Sequence, residues 1–365
     1  MQIDPQSFGN WRLKPGAEIV KIDDGQVLLR TFSGTLMLTG ELMGGGLSDA
    51  LEKFGTAGSL AELRNLTQDQ YAGEFEAFVA LLSDRHLLVE VDPEESIAAD
   101  DAYWLSQQRK PETVRRSLDE CRVAIAGTGS VAEAVARSLA RGGVGQIVLA
   151  GEDETQLRPL ALDLGNAGCR VEIVPGRVAD LPEWDGIIST ADLVVLCEDD
   201  MSLGAYDKTN ELCIKRNTPW TSVRIDRNHG FVGPFVVPGQ TACYACFELR
   251  SRANADHPGD HAALSEHRKS RPSGRQSALP VPAEFGLILG NALALDARRV
   301  LGGGFVSMAF GRVVEVDFHS LETHSHEVLK LPRCPVCSRT VDKPLSRIWD
   351  LPGGKLRVVA MSDPV

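Results

Sequence analysis

The chain has 365 residues, 43% of them hydrophobic and 24% charged, which fits a soluble globular protein of two domains. Its formal net charge of −12 argues against nucleic acid as a partner, because an acidic surface repels phosphate backbones. No apolar run is long enough to span a bilayer and residues 1–16 lack the regions of a signal peptide, so we expect a cytoplasmic protein without membrane partners.

Residues 1–95 predict a small domain of the winged-helix type. Three β-rich runs are separated by Asp24-Gly25 and Ser33-Gly34, which are typical hairpin dipeptides, so three strands are expected. Apolar residues at helical spacing follow, with Ser59 as a predicted N-cap. The longest helix is predicted within residues 70–91, whose last residues favour a strand.

From Cys121 the pattern changes to alternating strands and helices, so residues 121–345 predict a larger α/β domain. The alternation indicates a Rossmann-like, mostly parallel sheet with helices on both faces. We interpret residues 96–120 as a linker and a first helix, and residues 346–365 as a C-terminal tail. Residues 251–283 are rich in His, Arg, Ser and Pro and are predicted to form a long polar loop.

Two CxxC pairs give the strongest local signal, and their members are Cys243, Cys246, Cys334 and Cys337. Cytoplasmic thiols stay reduced, so metal binding is favoured over disulfides. Four thiolates satisfy tetrahedral zinc, and a zinc with all four positions filled should be structural. The alternative is four unrelated buried thiols. A redox pair is disfavoured because neither pair opens a helix after a strand.

A predicted strand-to-helix turn contains Gly127 and Gly129, and backbone amides at such a turn can hold phosphate. Asp199 follows a predicted strand, where open α/β sheets bind ligands, and its carboxylate could hold Mg²⁺. Each feature has an ordinary interpretation, since a tight turn needs glycine without any nucleotide and an acidic turn is often only solvated. The histidines, including His324 and His326, show no spacing that indicates a ligand set.

Residues 121–341 resemble the ubiquitin-activating-enzyme-like (ThiF/MoeB) family. The match runs in order through the glycine turn, DLVVLCEDD, GFVGPFVVPGQTACYAC and the final CPVC. The resemblance implies one zinc held by the two CxxC pairs, a glycine turn that faces ATP, and a magnesium-holding aspartate at Asp199. It also implies a homodimer formed through the larger domain.

The chain departs from the adenylating members of that family at the nucleotide site. Gly151 stands where those members place a ribose-binding aspartate, and residues 160–168 offer no counterpart of the catalytic lysine. Only Arg158 lies near the family's arginine. No cysteine lies between Cys246 and Cys334, which argues against thioester chemistry. Because adenylation needs cations against the triphosphate, we expect ATP and Mg²⁺ to bind poorly or not at all.

Residues 11–92 are similar to PqqD-like peptide-recognition domains, which take the leader of a precursor peptide as an added strand. The resemblance implies a leader groove between the third predicted strand and the last helix of this domain. The residues expected in that groove are Thr35, Leu36, Met37, Leu38, Thr39, Phe75, Phe78, Val79 and Leu82.

The order of the two domains resembles the leader-binding partner proteins of azole- and azoline-forming cyclodehydratases. The leading hypothesis is therefore a non-catalytic adaptor that presents a precursor peptide to a YcaO-type cyclodehydratase, in the biosynthesis of a bacteriocin or thiopeptide-like product. A second hypothesis is an active enzyme that adenylates a peptide carboxylate with ATP and magnesium, with Arg158, Arg170 or a loop arginine as the missing cation. A third is a dimerising scaffold without peptide affinity.

Overall fold

The computed structural model describes residues 11–23, 25–31, 34–40, 43, 47–48, 51, 59–67, 69–90, 97–198, 203–270 and 282–338. The chain divides into two compact units, residues 1–118 and residues 119–365. Asp199, the predicted magnesium ligand, and the predicted C-terminal tail lie outside the described residues.

The first unit consists of short strands and helices. Its elements are β1 (Trp11–Leu13), β2 (Glu18–Asp23), β3 (Gln26–Thr31), β4 (Gly34–Thr39), α1 (Leu60–Leu66), a 3₁₀ turn (Asp69–Tyr71), α2 (Ala72–Asp84), β5 (Leu88–Glu90) and α3 (Ala99–Ser106), followed by α4 (Pro111–Glu120). β2, β3 and β4 form an antiparallel sheet in that order, which confirms the three predicted strands. β1 pairs with β5 in a separate antiparallel ribbon. The strand β5 was predicted at the end of residues 70–91, whereas β1 and its pairing with β5 were not.

The core of the first unit forms between the three-stranded sheet and the helices. Alternate residues of β3, Val27 and Leu29, point into it and are almost fully buried, as the period of two in a strand requires. Helix α1 begins at the predicted cap. Ser59 Oγ accepts a hydrogen bond from Glu62 N at 3.2 Å, and Glu62 Oε2 accepts one from Ser59 N at 2.7 Å. This reciprocal pair is a capping box, which satisfies two backbone donors at the start of the helix.

The second unit alternates strands and helices. Its elements are β6 (Arg122–Ala126), α5 (Ser130–Arg141), β7 (Gln146–Gly151), α6 (Glu154–Asn166), β8 (Arg170–Pro175), α7 (Trp184–Thr190), β9 (Leu193–Glu198), α8 (Leu203–Arg216), β10 (Trp220–Asp226), β11 (His229–Val232), α9 (Tyr244–Asn254), α10 (Pro258–Ser270), α11 (Ala283–Gly303), β12 (Arg312–Asp317) and β13 (Thr323–Glu327).

The strands of the second unit form one sheet in the order β13-β12-β11-β10-β9-β6-β7-β8. Neighbours from β8 to β10 run parallel, and neighbours from β10 to β13 run antiparallel. The Rossmann-like α/β prediction is therefore confirmed, with a mixed sheet. The chain moves outward from β6 on one side and from β9 on the other, so a crevice opens at the carboxyl ends of these two neighbours.

The prediction of a loop over residues 251–283 is wrong for much of that segment. Residues 251–254 complete α9, and residues 258–270 form α10. Pro258 occupies the first helical position, where its missing N–H costs no hydrogen bond, and Asp260 lies in the first turn. The segment resembles a loop because a mostly polar surface helix has little hydrophobic periodicity. No helix among the described residues is long and apolar enough to cross a membrane.

Candidate functional site

The two CxxC pairs converge in the second unit. Cys243 is the N-cap of α9 and Cys246 lies in its first turn, so the first pair opens a helix, contrary to the prediction. Cys334 and Cys337 follow β13. Sγ–Sγ distances are 3.5 Å for Cys243–Cys334, 3.6 Å for Cys246–Cys337 and 3.9 Å for Cys243–Cys246. Zinc–sulfur bonds of about 2.3 Å in a tetrahedron place sulfurs about 3.8 Å apart, so the spacing suits zinc.

The protonation of the cluster also favours a cation. The hydrogen bond from the Cys243 thiol lowers the pKa of Cys246, and the same bond raises the pKa of Cys243. Burial raises the pKa of Cys337 to about 11. These contacts therefore favour a thiolate at Cys246 and oppose one at Cys243 or Cys337. A divalent metal would remove that opposition, because metal ligation stabilises thiolates.

Neighbouring residues fix the position of each cysteine pair. Asn210 Oδ1 on α8 accepts a hydrogen bond from Tyr244 N at 3.0 Å, which holds the start of α9. Arg250 Nε donates to Leu329 O at 2.7 Å, and Leu331 N donates to Cys246 Sγ at 3.4 Å. The second pair is thus attached to α9 by hydrogen bonds as well as by the sulfurs.

The glycine turn lies at the carboxyl end of β6, in the crevice beside β9. Gly127 has φ of +137°, and its N–H donates to Ala150 O at 2.9 Å. A Cβ on Gly127 would lie 2.1 Å from Cys197 O on β9. The fold therefore requires this glycine whether or not a nucleotide binds. Gly129, by contrast, has φ of −87° as the N-cap of α5, a value that any residue adopts.

The fold itself favours glycine at position 151, for a reason that the sequence did not reveal. A Cβ at this position would lie 2.4 Å from Cγ2 of Thr128, the residue after Gly127. The Thr128 side chain thus lies where a side chain at position 151 would begin. A ribose-binding carboxylate at this position would require Thr128 to move.

Two of the suggested replacement cations, Arg158 and Arg170, lie in unfavourable positions for phosphate at the glycine turn. Arg158 is exposed on α6 and pairs with Glu154 at 2.7 Å. Arg170 begins β8, and its guanidinium donates to Asp119 O at 3.3 Å. Because β6, β7 and β8 are parallel, the amino end of β8 lies at the edge of the sheet opposite the turn.

The predicted leader groove divides into exposed and buried residues. Thr35 to Thr39 belong to β4, which pairs only with β3 among the described strands and so forms an edge of the small sheet. Leu38 is buried and Leu36 partly so, while the other three are exposed. The helical members lie on α2 and are all buried in the core of the first unit. These residues are Phe75, Phe78, Val79 and Leu82. They form the support beneath β4 and do not present an open surface.

An apolar row crosses the outer face of the same sheet. Val20 on β2 pairs with Leu28 on β3, which pairs with Met37 on β4. Val20 is 48% exposed and Met37 is 50% exposed. The alternating pattern of the three strands carries the signal for this row, because residues opposite each other share a face.

Residues 159–336 match the ThiF family. E. coli MccB, a Microcin C7 biosynthetic enzyme, has a similar fold. Its structure with MccA-N7isoASN has 17% identity and a TM-score of 0.67, and covers 90% of this chain and 99% of MccB. Its structure with ATP has 18% identity, a TM-score of 0.66 and the same coverage. The heterocyclase TruD has 21% identity and a TM-score of 0.58, over 90% of this chain and 43% of TruD. A comparison with curated protein sequences found no match.

Proposed function

We propose, from the ThiF family domain that this chain contains, that it binds the leader of a ribosomally made precursor peptide and presents that peptide to a YcaO-type cyclodehydratase. The likeness to MccB extends over 90% of the chain and includes structures of MccB with MccA. The likeness to TruD, a heterocyclase, suggests the class of modification. Zinc at the four cysteines would stabilise the second unit, to which the partner enzyme and a second copy of the chain would bind.

The observation that carries this proposal is the edge of β4 that pairs with no other described strand. Unpaired N–H and C=O groups along an edge strand can pair with an extended peptide. A leader residue opposite Met37 would extend the row of Val20, Leu28 and Met37, so it should be apolar. The buried side chains of α2 share a hydrophobic core with Leu38 of β4, on the face of the sheet opposite to Met37.

The proposed role is non-catalytic because the described side chains of the nucleotide crevice are poorly placed to hold ATP. Thr128 lies against Gly151, where the resemblance implies a ribose-binding aspartate. Arg158 is paired with Glu154, and Arg170 lies at the opposite edge of the sheet. Neither of these two described arginines would therefore offset the charge of a triphosphate there. In this proposal, the partner enzyme consumes the ATP.

We expect Met37→Gln to weaken leader binding about tenfold, because the side chain loses roughly 1.5 kcal/mol of apolar burial against the peptide. The measurement is calorimetric titration of the full chain with a synthetic leader from the precursor gene nearest to this one. Val20→Gln is the matched control, since Val20 is equally exposed on the same face but lies on β2. Val20→Gln should change the affinity by less than about threefold. The opposite ranking would move the site to β2, and absence of binding by the unaltered chain would contradict the proposal.

A second candidate is an enzyme that adenylates the carboxylate of a bound peptide. It is favoured by the likeness to MccB, which has been solved with ATP, and by the retained turn at Gly127. Pyrophosphate exchange in the presence of the precursor separates the two candidates. We expect none above background from protein with a full complement of zinc. Exchange that depends on the precursor would establish the enzyme and exclude the adaptor.

A further inference from the structure

Two histidines of the strand β13 lie on one face of the large sheet. His324 and His326 are two residues apart, and successive side chains of a strand alternate between its faces. β13 pairs only with β12 among the described strands, and all of its residues are exposed. In a helix the same spacing would separate the two rings, so the pair gains meaning only because its segment is a strand.

A carboxylate on the neighbouring strand is within reach of this pair. Glu315 of β12 is in register with His324, so the two side chains lie on the same face. His326 Nε2 approaches Glu315 Oε2 at 2.6 Å. Among the described residues, no lysine or arginine forms an ion pair with Glu315. Two imidazoles and one carboxylate therefore meet at this edge of the sheet.

The second oxygen of Glu315 faces a third histidine. His229 Nδ1 on β11 approaches Glu315 Oε1 at 2.9 Å. His229 is itself in register with Asp226 on one side and with Asp317 on the other. Three carboxylates thus lie on neighbouring positions of the same face, an arrangement that favours a cation.

Arg224 does not remove this preference for a cation. It lies on the same face of β10, but Phe231 stands between it and Glu315 in the register of the strands. The guanidinium lies over the Phe231 ring, with its Cζ 4.6 Å from the ring centroid. Arg224 is also in register with Glu198 on β9, an acid on the side away from Glu315.

The ring of His324 makes only a long contact in this structure. Its Nε2 lies 3.8 Å from Oε2 of Glu322, and its side chain is 58% exposed. A change of rotamer would turn the ring toward Glu315, its partner in register. Imidazole and carboxylate groups are ligands that zinc and other divalent transition metals accept.

We propose that His324, His326 and Glu315 bind a divalent transition metal at the edge of the large sheet. The two imidazoles would bind from β13 and the carboxylate from β12, which leaves a fourth position for water. His229 would orient the carboxylate through its second oxygen. This site is separate from the four cysteines and does not depend on leader binding by β4.

The test first loads the four cysteines with one equivalent of zinc and then titrates the full chain with Co²⁺. We expect one further cobalt per chain, without the near-ultraviolet sulfur-to-cobalt band that exchange into the cysteine site would give. His326→Asn and Glu315→Gln should each lower the affinity at least about tenfold, because each removes a ligand. His257→Asn removes an exposed histidine that precedes α10, and it should leave the affinity unchanged.

Zinc content and the thermal midpoint show whether these variants are folded. His324→Asn changes an exposed side chain and serves if they are not, with an expected loss of at least about threefold. Cobalt that enters only the cysteine site, or equal affinity in the unaltered chain and the folded variants, would overturn the proposal. Leader binding should be the same in all of these variants, so a failure here is distinct from a failure of the proposed function.

Discussion

Replacement of Cys334 by serine should abolish zinc binding and lower the midpoint of thermal unfolding of the second unit by about 10 °C or more. Cys334 is fully buried, and its sulfur lies 3.5 Å from that of Cys243. Loss of one ligand opens the coordination shell and leaves three thiols to oppose one another's ionisation. The midpoint follows from calorimetry, and metal content from elemental analysis of the same sample.

Cys169→Ala is the control, because Cys169 is also buried but lies before β8, outside the cluster. It should retain one zinc per chain and lose at most a few degrees. A chelator added to the unaltered protein should reproduce the Cys334→Ser midpoint. If metal-free protein melts at the same temperature as the purified form, a metal at the four cysteines has no structural role.

Replacement of Gly127 by alanine should destabilise the second unit by about 3 kcal/mol, through backbone strain and overpacking together. The residue has φ of +137°, and a Cβ would approach Cys197 O at 2.1 Å. The end of β9 would have to shift away from β6. The change should appear in denaturant unfolding as a lower midpoint with an unchanged slope.

Gly165→Ala provides a contrast of opposite sign. Gly165 lies within α6, and nothing lies within 4 Å of the position where its Cβ would be. Alanine is favoured over glycine in a helix by about 0.5–1 kcal/mol, so this variant should be more stable. A Gly127→Ala protein as stable as the parent would show that the turn tolerates a side chain. The retained glycine would then need an explanation outside the fold.

The larger fold was predictable because its signals are local. Runs such as 122–126 and 193–198 are short, apolar and separated by helical patterns, which suffices for an α/β sheet. The cysteine pairs were predictable since two CxxC motifs rarely have another purpose. The close approach of Thr128 to Gly151 was not predictable. Nor was the contact of Arg224 on β10 with Phe247 on α9. Each joins elements that are separate in the chain, and no spacing encodes it.

In the first unit, periodicity identified the buried face of α2 but not whether it has a role in binding. Phe75, Phe78, Val79 and Leu82 recur at helical spacing because they face the core, and all four are buried. Helical spacing alone does not distinguish residues that pack in a core from residues that line a peptide groove. The exposed residue of interest is Met37, whose neighbours across the sheet become visible only once the register is known. The role of these residues in peptide binding stays a prediction.

The separation of 91 positions between Cys243 and Cys334 determines when the metal can be acquired during translation. A ribosome delivers α9 first, with two thiols that alone hold a metal weakly. Helix α11 and strands β12 and β13 must emerge before the other two thiols arrive. The metal is therefore bound near the end of synthesis. It closes a long loop after the helices and strands within that loop have formed, when the entropy cost of closure is smallest.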